Sequence, residues 1–291
     1  MYHPSSFFQN QAQSNQDFVN RLTPVWGKEE SEAIIKLVWE DFSGKRLLTN
    51  SLDQIVWQEE WFEKLEKILQ RLEKSEPLHY VLGKAWFMDF ELKVNSSVLI
   101  PRPETEELVH WVLETKDQTN KTVLDLCTGS GCIALALRKK GHWLSVSGLD
   151  VSKDALEVAL QNGQNLNLGV DWIEADLLAT EIKLHLPGDV WVSNPPYVLL
   201  SESSELAAHV IDYEPHIALF VPLNDPIIFY SKILELGIEF LPAGGVVYFE
   251  LNPLTAEWVK EAFLNFGYEG IEFRKDMFGK VRMIRGFRPL Q

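Results

Sequence analysis

The sequence predicts an α/β protein in which a mostly parallel β-sheet carries helices on both faces and follows a small helical domain and a β-hairpin. After Asn120, apolar runs typical of buried strands alternate with segments of helical periodicity, which is the pattern of a parallel sheet. Before Pro77 the apolar residues recur at spacings of three and four, which indicates helices. Between these regions, residues 80–101 alternate apolar and polar side chains, as the strands of a hairpin do.

The composition is that of a globular protein without a membrane span. The chain has 291 residues, 46% hydrophobic and 24% charged, which is enough for two domains and a sizeable core. No run of eighteen apolar residues occurs, and residues 1–16 lack the basic start and apolar centre of a signal peptide. We expect these residues to form a polar, disordered tail. The two cysteines, Cys127 and Cys132, have no second pair with which to build a metal site, so free thiols in the reducing cytoplasm are expected.

The net charge of −15 argues against nucleic acid as a partner. Proteins that hold DNA or RNA through its phosphates usually carry a basic face. Dividing this chain at residue 90 leaves both parts with more acidic than basic residues. We therefore expect no direct nucleic-acid binding and no membrane partner.

The helical domain is expected to span residues 17–78, with Pro77 closing its helical segment. It is either a simple helical bundle or a binding module. Its clearest helix has an apolar face made of Ile55, Trp61, Leu65, Ile68, Leu69 and Leu72. Residues 79–101 form the predicted hairpin linker. Its strands are expected in W-F-M-D-F-E-L-K-V and V-L-I-P, with the turn at N-S-S.

The larger domain is expected to span residues 102–291. Pro103 suits the first turn of its first helix, and three acids complement the positive end of that helix: Glu104, Glu106 and Glu107. Strands are expected in T-V-L-D-L, L-S-V-S-G-L-D, V-D-W-I-E, D-V-W-V-S and G-G-V-V-Y-F-E-L-N, with helices between them and Ser152 as an N-cap. A final hairpin around Met277-Phe278-Gly279 adds an antiparallel edge to the parallel sheet.

A glycine turn follows the first strand of this domain. Gly129-Ser130-Gly131 opens a helix, and Asp150 ends the next strand about twenty residues later, where an acid accepts hydrogen bonds from ribose hydroxyls. This pattern fits both NAD and S-adenosylmethionine. Asp125, inside the first strand, favours a ligand with an ammonium and a sulfonium over one with a pyrophosphate. The one Tyr-x-x-x-Lys, from Tyr80 to Lys84, precedes the turn and falls at the domain connector, so we favour the methyl donor over a dehydrogenase cofactor.

The fourth strand ends in Asn194-Pro195-Pro196-Tyr197. Each proline fixes its own φ and has no N–H, so the carbonyls of Asn194 and Pro195 face out of a stiff turn. At the carboxyl edge of the sheet, a planar NH2 group can donate its two hydrogens to two such oxygens while its face rests on Tyr197. The alternative is a turn that only ends the strand.

Seven stretches of the sequence together match one known family. They are P-L-H-Y-V-L-G, L-I-P-R-P-E-T-E-E-L-V, V-L-D-L-C-T-G-S-G-C-I-A-L-A-L, G-L-D-V-S-K-D-A-L, S-N-P-P-Y, Y-E-P-H-I-A-L and K-D-M-F-G-K-V-R. With them the chain resembles the release-factor glutamine methyltransferases, the PrmC/HemK family, over nearly its whole length. The resemblance implies a seven-stranded, Rossmann-like, class I S-adenosylmethionine-dependent methyltransferase domain. Cys127 departs from the family, which usually has glycine there; because cysteine is small, we expect a mild effect at most.

The resemblance also implies where the methyl donor binds. The methionine part of S-adenosylmethionine is expected on the loop formed by Cys127, Thr128, Gly129, Ser130 and Gly131. Its ribose is expected on Asp150, and its adenine on Asp176 and Leu177. Asn194 would bridge the donor and acceptor sites, and the product would be S-adenosyl-L-homocysteine. No metal ion is expected.

The acceptor implied by the resemblance is the side-chain amide nitrogen, N5, of the glutamine in the Gly-Gly-Gln motif of class I peptide chain release factors. Asn194, Pro195, Pro196 and Tyr197 are expected to bind it, with Asn194, Pro195 and Tyr197 in the catalytic roles. An amide nitrogen is a weak nucleophile, so catalysis must come from placing it in line with the methyl group, which supplies on the order of 7–11 kcal/mol. Polarisation by the Asn194 side chain and the Pro195 carbonyl would add to this.

Two other functions compete with this one. An adenine-amino DNA methyltransferase shares Asn-Pro-Pro-Tyr, but it requires a basic region that reads sequence, which an acidic chain does not offer. A catalytically silent interaction protein on the same fold is disfavoured because the glycine turn and Asn-Pro-Pro-Tyr are both intact. Since one small amide is too little to select a protein, we expect the N-terminal helices and the hairpin to dock the substrate.

Overall fold

The computed structural model describes residues 11–47, 52–179 and 188–290. The chain divides into two compact units. The larger comprises Lys84–Leu206 and the residues from Glu214 onward, and the smaller comprises the described residues up to Gly83 together with Ala207–Tyr213. Within these described ranges, no helix has the length and apolarity needed to cross a membrane, and no group of three or more His, Cys, Asp or Glu residues is placed to hold a metal ion.

Helices and strands are numbered separately, each in chain order. The helices are α1 (Gln11–Trp26), α2 (Lys28–Ser43), α3 (Phe62–Leu72), α4 (Leu78–Leu82), α5 (Pro103–Leu113), α6 (Cys132–Lys140), α7 (Lys153–Leu166), α8 (Ala208–Tyr213), α9 (His216–Leu219), α10 (Ile228–Phe240) and α11 (Ala256–Asn265). The strands are β1 (Lys84–Phe87), β2 (Phe90–Lys93), β3 (Thr122–Leu126), β4 (Ser145–Asp150), β5 (Asp171–Glu174), β6 (Val190–Ser193), β7 (Val246–Glu250), β8 (Glu269–Lys275) and β9 (Val281–Phe287).

The larger unit is built on a seven-stranded sheet in the order β5-β4-β3-β6-β7-β9-β8. The first five strands in this order, β5, β4, β3, β6 and β7, pair in parallel. Strand β9 is antiparallel to both β7 and β8, which confirms the predicted parallel sheet with an antiparallel edge. From β3 the chain builds outward through β4 and β5, and then returns to the other side of β3 as β6. Such a reversal opens a crevice between the two strands at their carboxyl ends, where open α/β sheets bind ligands.

Apolar helices cover both faces of this sheet, as predicted. On one face α5, α6 and the β1–β2 hairpin pack over Val190 and Tyr248. On the other face α10 and α11 pack over Trp191 and Phe249. Successive residues of a strand point to opposite faces, so each strand with apolar residues throughout serves both cores.

The hairpin differs from the prediction in its turn and in its surroundings. Phe87 pairs with Phe90, so the turn lies at Met88-Asp89 and not at N-S-S, and residues 94–102 form no strand. Met88 adopts a φ of 53° without being glycine or asparagine, the residues that usually mark such a turn. Buried residues of both strands, Phe87, Phe90 and Leu92, belong to the core of the larger unit. The predicted linker is therefore part of that unit.

The acids at the start of α5 hold the turns of both hairpins. Glu106 accepts a hydrogen bond from the backbone N–H of Met88 at 2.6 Å. Glu107 accepts one from the backbone N–H of Met277 at 3.0 Å. These contacts add to the favourable position of acids near a helix N-terminus. The first turn of α5 is thereby fixed against two neighbouring elements.

The smaller unit is helical and has its own apolar core, which includes Leu22, Ile35 and Leu69. At its surface Arg21 joins two helices, because its guanidinium group donates to Glu66 and Glu73 at 2.8 Å each. Pro77 does not end this unit. It directly precedes α4. A proline is tolerated there because its missing N–H costs the helix no hydrogen bond.

Two further features of the smaller unit differ from expectation. Helix α1 begins at Gln11, so residues 11–16 of the predicted tail are helical, and the rest of the tail lies outside the described residues. Asn15 accounts for this order, because it is buried and donates to the carbonyl of Leu52 at 2.8 Å. Helix α8, from the middle of the chain, also belongs here: its Tyr213 hydroxyl donates to the carbonyl of Lys74 at 2.7 Å. A six-residue helix is too short for its periodicity to predict this.

Candidate active site

A cavity of about 330 Å³ opens at the crevice between β3 and β6 in the larger unit. We call it the switch-point cavity. Nine of the residues expected from the sequence line it: Cys127, Thr128, Gly129, Ser130, Asp150, Asp176, Leu177, Asn194 and Pro196. The other three do not line it; Gly131 lies in the loop after β3, and Pro195 and Tyr197 in the turn after β6. The carboxyl ends of β3, β4 and β6 thus bring most of the predicted site together.

The loop after β3 turns through three residues with positive φ: Cys127 (61°), Gly129 (54°) and Gly131 (80°). At Gly131 a Cβ atom would lie 2.7 Å from the ring of Trp172, so packing also demands glycine there. At Gly129 a Cβ would meet nothing within 4 Å, so this glycine is required by its φ and leaves open space beside the cavity. Cys127 carries the same backbone conformation with a side chain, which costs about 1–2 kcal/mol.

Asp125, in the strand β3 that precedes this loop, fixes the loop by hydrogen bonds. Its Oδ2 accepts hydrogen bonds from the Thr128 hydroxyl at 2.5 Å and from the backbone N–H of Ala134 at 3.1 Å, and its Oδ1 has no partner among the described residues. Burial raises the pKa of this carboxyl to about 7. Asp125 is fully buried and does not line the switch-point cavity, so its position does not support the expectation that it faces the charges of a ligand.

Asp150, unlike Asp125, does line the cavity. Its Oδ2 accepts from the backbone N–H of Gly129 at 2.8 Å, and its Oδ1 accepts from that of Ser152 at 2.9 Å. A carboxylate offers about four acceptor positions, so roughly two remain for the hydroxyls of a ligand. Ser152 in turn caps α7, as predicted, by accepting from the backbone N–H of Ala155. Asp150, the acid expected to bind the ribose, is therefore fixed by the loop and by the start of the helix.

These residues fit S-adenosylmethionine. The volume of the cavity lies within the range of small-molecule sites. Gly129 leaves space for close approach, and Asp150 presents free acceptor positions at the carboxyl end of the second strand, where a ribose is held in related sheets. Further along the cavity Asp176 accepts from the backbone N–H of Leu178 at 2.8 Å, next to the buried side chain of Leu177. An apolar side chain beside a fixed acceptor suits a purine ring.

On the other side of the cavity, the Asn194-Pro195-Pro196-Tyr197 turn is joined to two buried residues that the sequence interpretation did not place in the site. The Asn194 Nδ2 group donates to Thr105 Oγ1 at 3.1 Å. The Thr105 hydroxyl donates to Glu250 Oε2 at 2.7 Å, and the Tyr197 hydroxyl donates to Glu250 Oε1 at 3.0 Å. Glu250 is buried at the end of β7, and burial raises its pKa.

The turn is also fixed through its backbone. Asn252, two residues beyond β7, donates to the carbonyl of Tyr197 at 3.3 Å. The backbone N–H of Val198 donates to the carbonyl of Leu219 at 2.9 Å, which ties the turn to α9, the helix that carries the cavity-lining Ala218. Together, these side-chain and backbone hydrogen bonds leave the turn little freedom to move. It therefore presents Asn194 to the cavity in one orientation.

An ion pair between a partly exposed arginine and a buried glutamate closes one wall of the cavity. The guanidinium group of Arg102, which lines the cavity, donates to Glu214 at 2.6 Å, and the side chain of Glu214 is fully buried. Glu214 also accepts from the backbone N–H of Ile100 at 3.2 Å. Such a pair is costly to break, because the remaining charge would be left buried without a partner.

The residues that the sequence interpretation missed had recognisable signals. Thr105 lies in the R-P-E-T-E stretch, whose acids we explained by the helix dipole, and it is a polar residue on the buried side of α5. Glu250 is a charged residue that ends an apolar strand, at the same sheet edge as Asn194. A charge at that place is costly unless it is paired, which marks it as part of a site. Because Thr105 and Glu250 are 145 residues apart in the sequence, local patterns could not predict their contact.

Comparisons with known proteins agree with this geometry. The sequence profile of the methyltransferase small domain matches residues 105–213. A release factor glutamine methyltransferase from Flavobacterium psychrophilum is 35% identical over 281 residues, covering 92% of this chain and 95% of the relative. One from Bacteroides thetaiotaomicron is 37% identical over 276 residues, covering 92% of this chain and 96% of the relative.

A solved structure confirms the fold. A methyltransferase from Pyrococcus furiosus superposes with a TM-score of 0.51 at 21% identity, covering 68% of this chain and 88% of the other. At this identity the likeness establishes the class I methyltransferase fold alone. The two sequence relatives, together with the profile match, establish more. The chain belongs to the release factor glutamine methyltransferase family.

Proposed function

We propose that this protein transfers a methyl group from S-adenosyl-L-methionine to the N5 amide nitrogen of the glutamine in the Gly-Gly-Gln motif of class I peptide chain release factors. One observation carries the proposal. The Asn194 side chain lines the same cavity as Asp150, and the turn that holds it is fixed on both sides. A donor site and a group suited to bind an amide thus share one enclosed space. The names of the relatives support release factors as the substrate.

The methyl donor is assigned to the half of the cavity formed by the loops after β3, β4 and β5. Cys127 to Gly131 would hold the methionine part, Asp150 the ribose, and Asp176 with Leu177 the adenine. When bound, S-adenosylmethionine supplies an electrophilic methyl group on a sulfonium and leaves as S-adenosyl-L-homocysteine. The contribution of the loop is to enclose the methionine part without side chains at Gly129 and Ser130 large enough to displace it.

The acceptor amide is assigned to the Asn194-Pro195-Pro196-Tyr197 turn. The Asn194 side-chain oxygen would accept one hydrogen of the glutamine NH2 group and the Pro195 carbonyl oxygen the other, with Tyr197 at the face of the amide; of these three residues, Asn194 lines the cavity, and Pro195 and Tyr197 lie in the turn beside it. Bound S-adenosylmethionine would supply the methyl carbon to the nitrogen held by this turn, and the electron pair of the carbon–sulfur bond would leave with the sulfur of S-adenosyl-L-homocysteine. The methylated nitrogen afterwards loses one proton to solvent. Two fixed acceptors place the nitrogen in line, which accounts for catalysis without a strong base.

Selection of the release factor is assigned to surfaces outside the cavity. The Asn194 turn contacts one small amide, which cannot distinguish one protein from another. We propose that the helical unit and the β1–β2 hairpin dock the folded factor. The acidic chain, with a net charge of −15, repels a phosphate backbone, so the factor and not DNA is the substrate. Its two free cysteines suit the reducing cytoplasm, where we place the reaction.

The proposal is tested by incubating the enzyme and S-adenosylmethionine with candidate release factors, and separately with duplex DNA and free glutamine. We expect a single added methyl group on the factor, located by mass spectrometry of its fragments at the glutamine of Gly-Gly-Gln. A factor in which that glutamine is replaced by alanine is the matched control and should gain no methyl group. Methylation of DNA in place of the factor would establish the adenine-amino alternative.

A further inference from the structure

The contacts behind Asn194 form a directed chain of hydrogen bonds that ends at a buried carboxylate. Asn194 Nδ2 donates to Thr105 Oγ1, and Thr105 Oγ1 donates to Glu250 Oε2. The other oxygen of Glu250 accepts from the Tyr197 hydroxyl. Glu250 and Thr105 are 1% and 2% exposed, so water does not compete for these bonds.

The direction of this chain follows from the number of hydrogens available. Both oxygens of Glu250 act as acceptors, one from Thr105 and one from Tyr197, and a hydroxyl has one hydrogen to donate. Once the Thr105 hydrogen is committed to Glu250, its oxygen can only accept from Asn194. The NH2 end of the Asn194 side chain must therefore face Thr105. The oxygen end is left for the switch-point cavity, which Asn194 lines.

We propose that Thr105 and Glu250 are positioning residues that hold the Asn194 side chain with its oxygen toward the acceptor amide. This inference rests on the proposed function, in which that oxygen accepts a hydrogen from the glutamine NH2 group. A side-chain amide turned by half a rotation would present its own NH2 group to that of the substrate, and two donors cannot bond. By accepting the Thr105 hydrogen, Glu250 thus decides, through Thr105, whether Asn194 binds the substrate or repels it. Glu250 holds the Tyr197 hydroxyl in the same way, so one carboxylate positions two residues of the turn.

A direct test uses the wild-type protein and needs no substrate. In nitrogen-15 NMR spectra, the Asn194 side-chain NH2 group, assigned by its absence in Asn194→Ala, should show one hydrogen protected from exchange with water. That hydrogen is the one donated to Thr105. If both hydrogens exchange as fast as those of an exposed asparagine, the side chain has the opposite orientation and the inference is wrong.

A kinetic test compares three variants on the release factor. Thr105→Val removes the hydroxyl at nearly constant volume and should lower kcat roughly tenfold to a hundredfold, with the dissociation constant of the donor changed less than about twofold. Thr105→Ser keeps the hydroxyl and should stay within about threefold of wild type. Thr115→Val is the matched control, because Thr115 lies two residues beyond the end of α5 and also forms a side-chain hydrogen bond, with Tyr248 at 3.1 Å, but unlike Thr105 it does not line the cavity.

A double-mutant cycle separates positioning from a general loss of structure. If Thr105 acts through Asn194, then Thr105→Val should cost less than about twofold when Asn194 is already alanine. A full additional loss in that background, or unchanged kcat in Thr105→Val alone, would overturn the inference. A wild-type enzyme that methylates no release factor would instead overturn the proposed function, and the catalytic part of this inference with it.

Discussion

The backbone N–H of Gly129 lies 2.8 Å from Oδ2 of Asp150, so the acid that we assign to the ribose also holds the loop that we assign to the methionine part of the donor. This hydrogen bond couples the position of the loop to that of the Asp150 carboxylate. A change at Asp150 should disturb both. This coupling gives the first prediction.

Asp150→Ala should weaken the binding of S-adenosylmethionine by roughly 1.5–3 kcal/mol, because charge-assisted hydrogen bonds to the ribose are lost. Isothermal titration calorimetry of the folded variant measures this. Asp154→Ala is the control, since Asp154 is an exposed acid in the first turn of α7 and does not line the cavity. Unchanged affinity in Asp150→Ala would remove the assignment, and binding of NADH without binding of the methyl donor would restore the dehydrogenase interpretation.

Asn194→Ala should leave the fold intact and lower methyl transfer on the order of a hundred- to a thousandfold, since one of the two acceptors that we propose for the reactive amide is lost. Single-turnover rates on the release factor measure the effect. Asn265→Ala serves as the control, because Asn265 is exposed at the end of α11. A rate for Asn194→Ala within a few-fold of wild type would show that the turn only ends the strand.

Cys127→Gly should raise the free energy of unfolding by no more than about 1.5 kcal/mol. Relief of the positive φ contributes about 1–2 kcal/mol, and the added flexibility of glycine in the unfolded chain offsets roughly 0.5–1 kcal/mol of it. Cys127→Val should instead destabilise the protein and impair donor binding, because a branched side chain is strained at a φ of 61° and lies in the cavity lining. Chemical denaturation and donor titration of both variants measure these effects. Equal behaviour of the glycine and valine variants would contradict the role assigned to this backbone conformation.

Asp125 should make the stability of the protein depend on pH. Burial raises the pKa of this carboxyl from 3.8 to about 7, so between these values the folded state retains a proton that the unfolded state releases. Raising the pH through this window therefore removes stability, on the order of 4 kcal/mol in total, and the loss is complete above the folded pKa.

Asp125→Asn cannot ionise and should lack this component of the pH dependence. The difference in unfolding free energy between the variant and wild type should therefore move in favour of the variant from pH 4 to pH 8. Denaturant titrations at several pH values measure it, with the exposed Asp154→Asn as control for the loss of one charge. A difference that does not vary with pH would show that Asp125 is ionised throughout in the folded protein.

A chain shortened to begin at Lys84, where the larger unit begins, should still bind the methyl donor but lose most of its rate on the intact release factor. The docking surface that we propose on the helical unit is then absent, whereas a short Gly-Gly-Gln peptide should be methylated equally by both forms. A start at Pro101 would be the wrong boundary, because it removes Phe87, Phe90 and Leu92 from the core. Equal rates of the shortened and full-length proteins on the intact factor would refute the docking role.

Much of the fold was predictable because it depends on patterns within short segments. The apolar runs of β3, β6 and β7 required burial on both faces, and their alternation with helices required a parallel sheet. The hairpin turn at Met88 was not predictable, because no glycine or asparagine marks it. Helix α8 was not predictable either, since its place in the smaller unit depends on contacts such as that of Tyr213 with Lys74.

The candidate active site likewise combines features that local sequence predicts with contacts that only the tertiary structure sets. By itself the sequence determined the glycine turn, the acid at the end of β4 and the Asn-Pro-Pro-Tyr turn, because each depends on neighbouring residues and on the end of one strand. Only the tertiary structure decided that Thr105 meets Asn194 across 89 residues and Glu250 across 145. Periodicity shows which residues are buried, but a hydrogen bond between distant elements depends on where α5 lies over the ends of β6 and β7. The orientation of the Asn194 side chain is set by that placement.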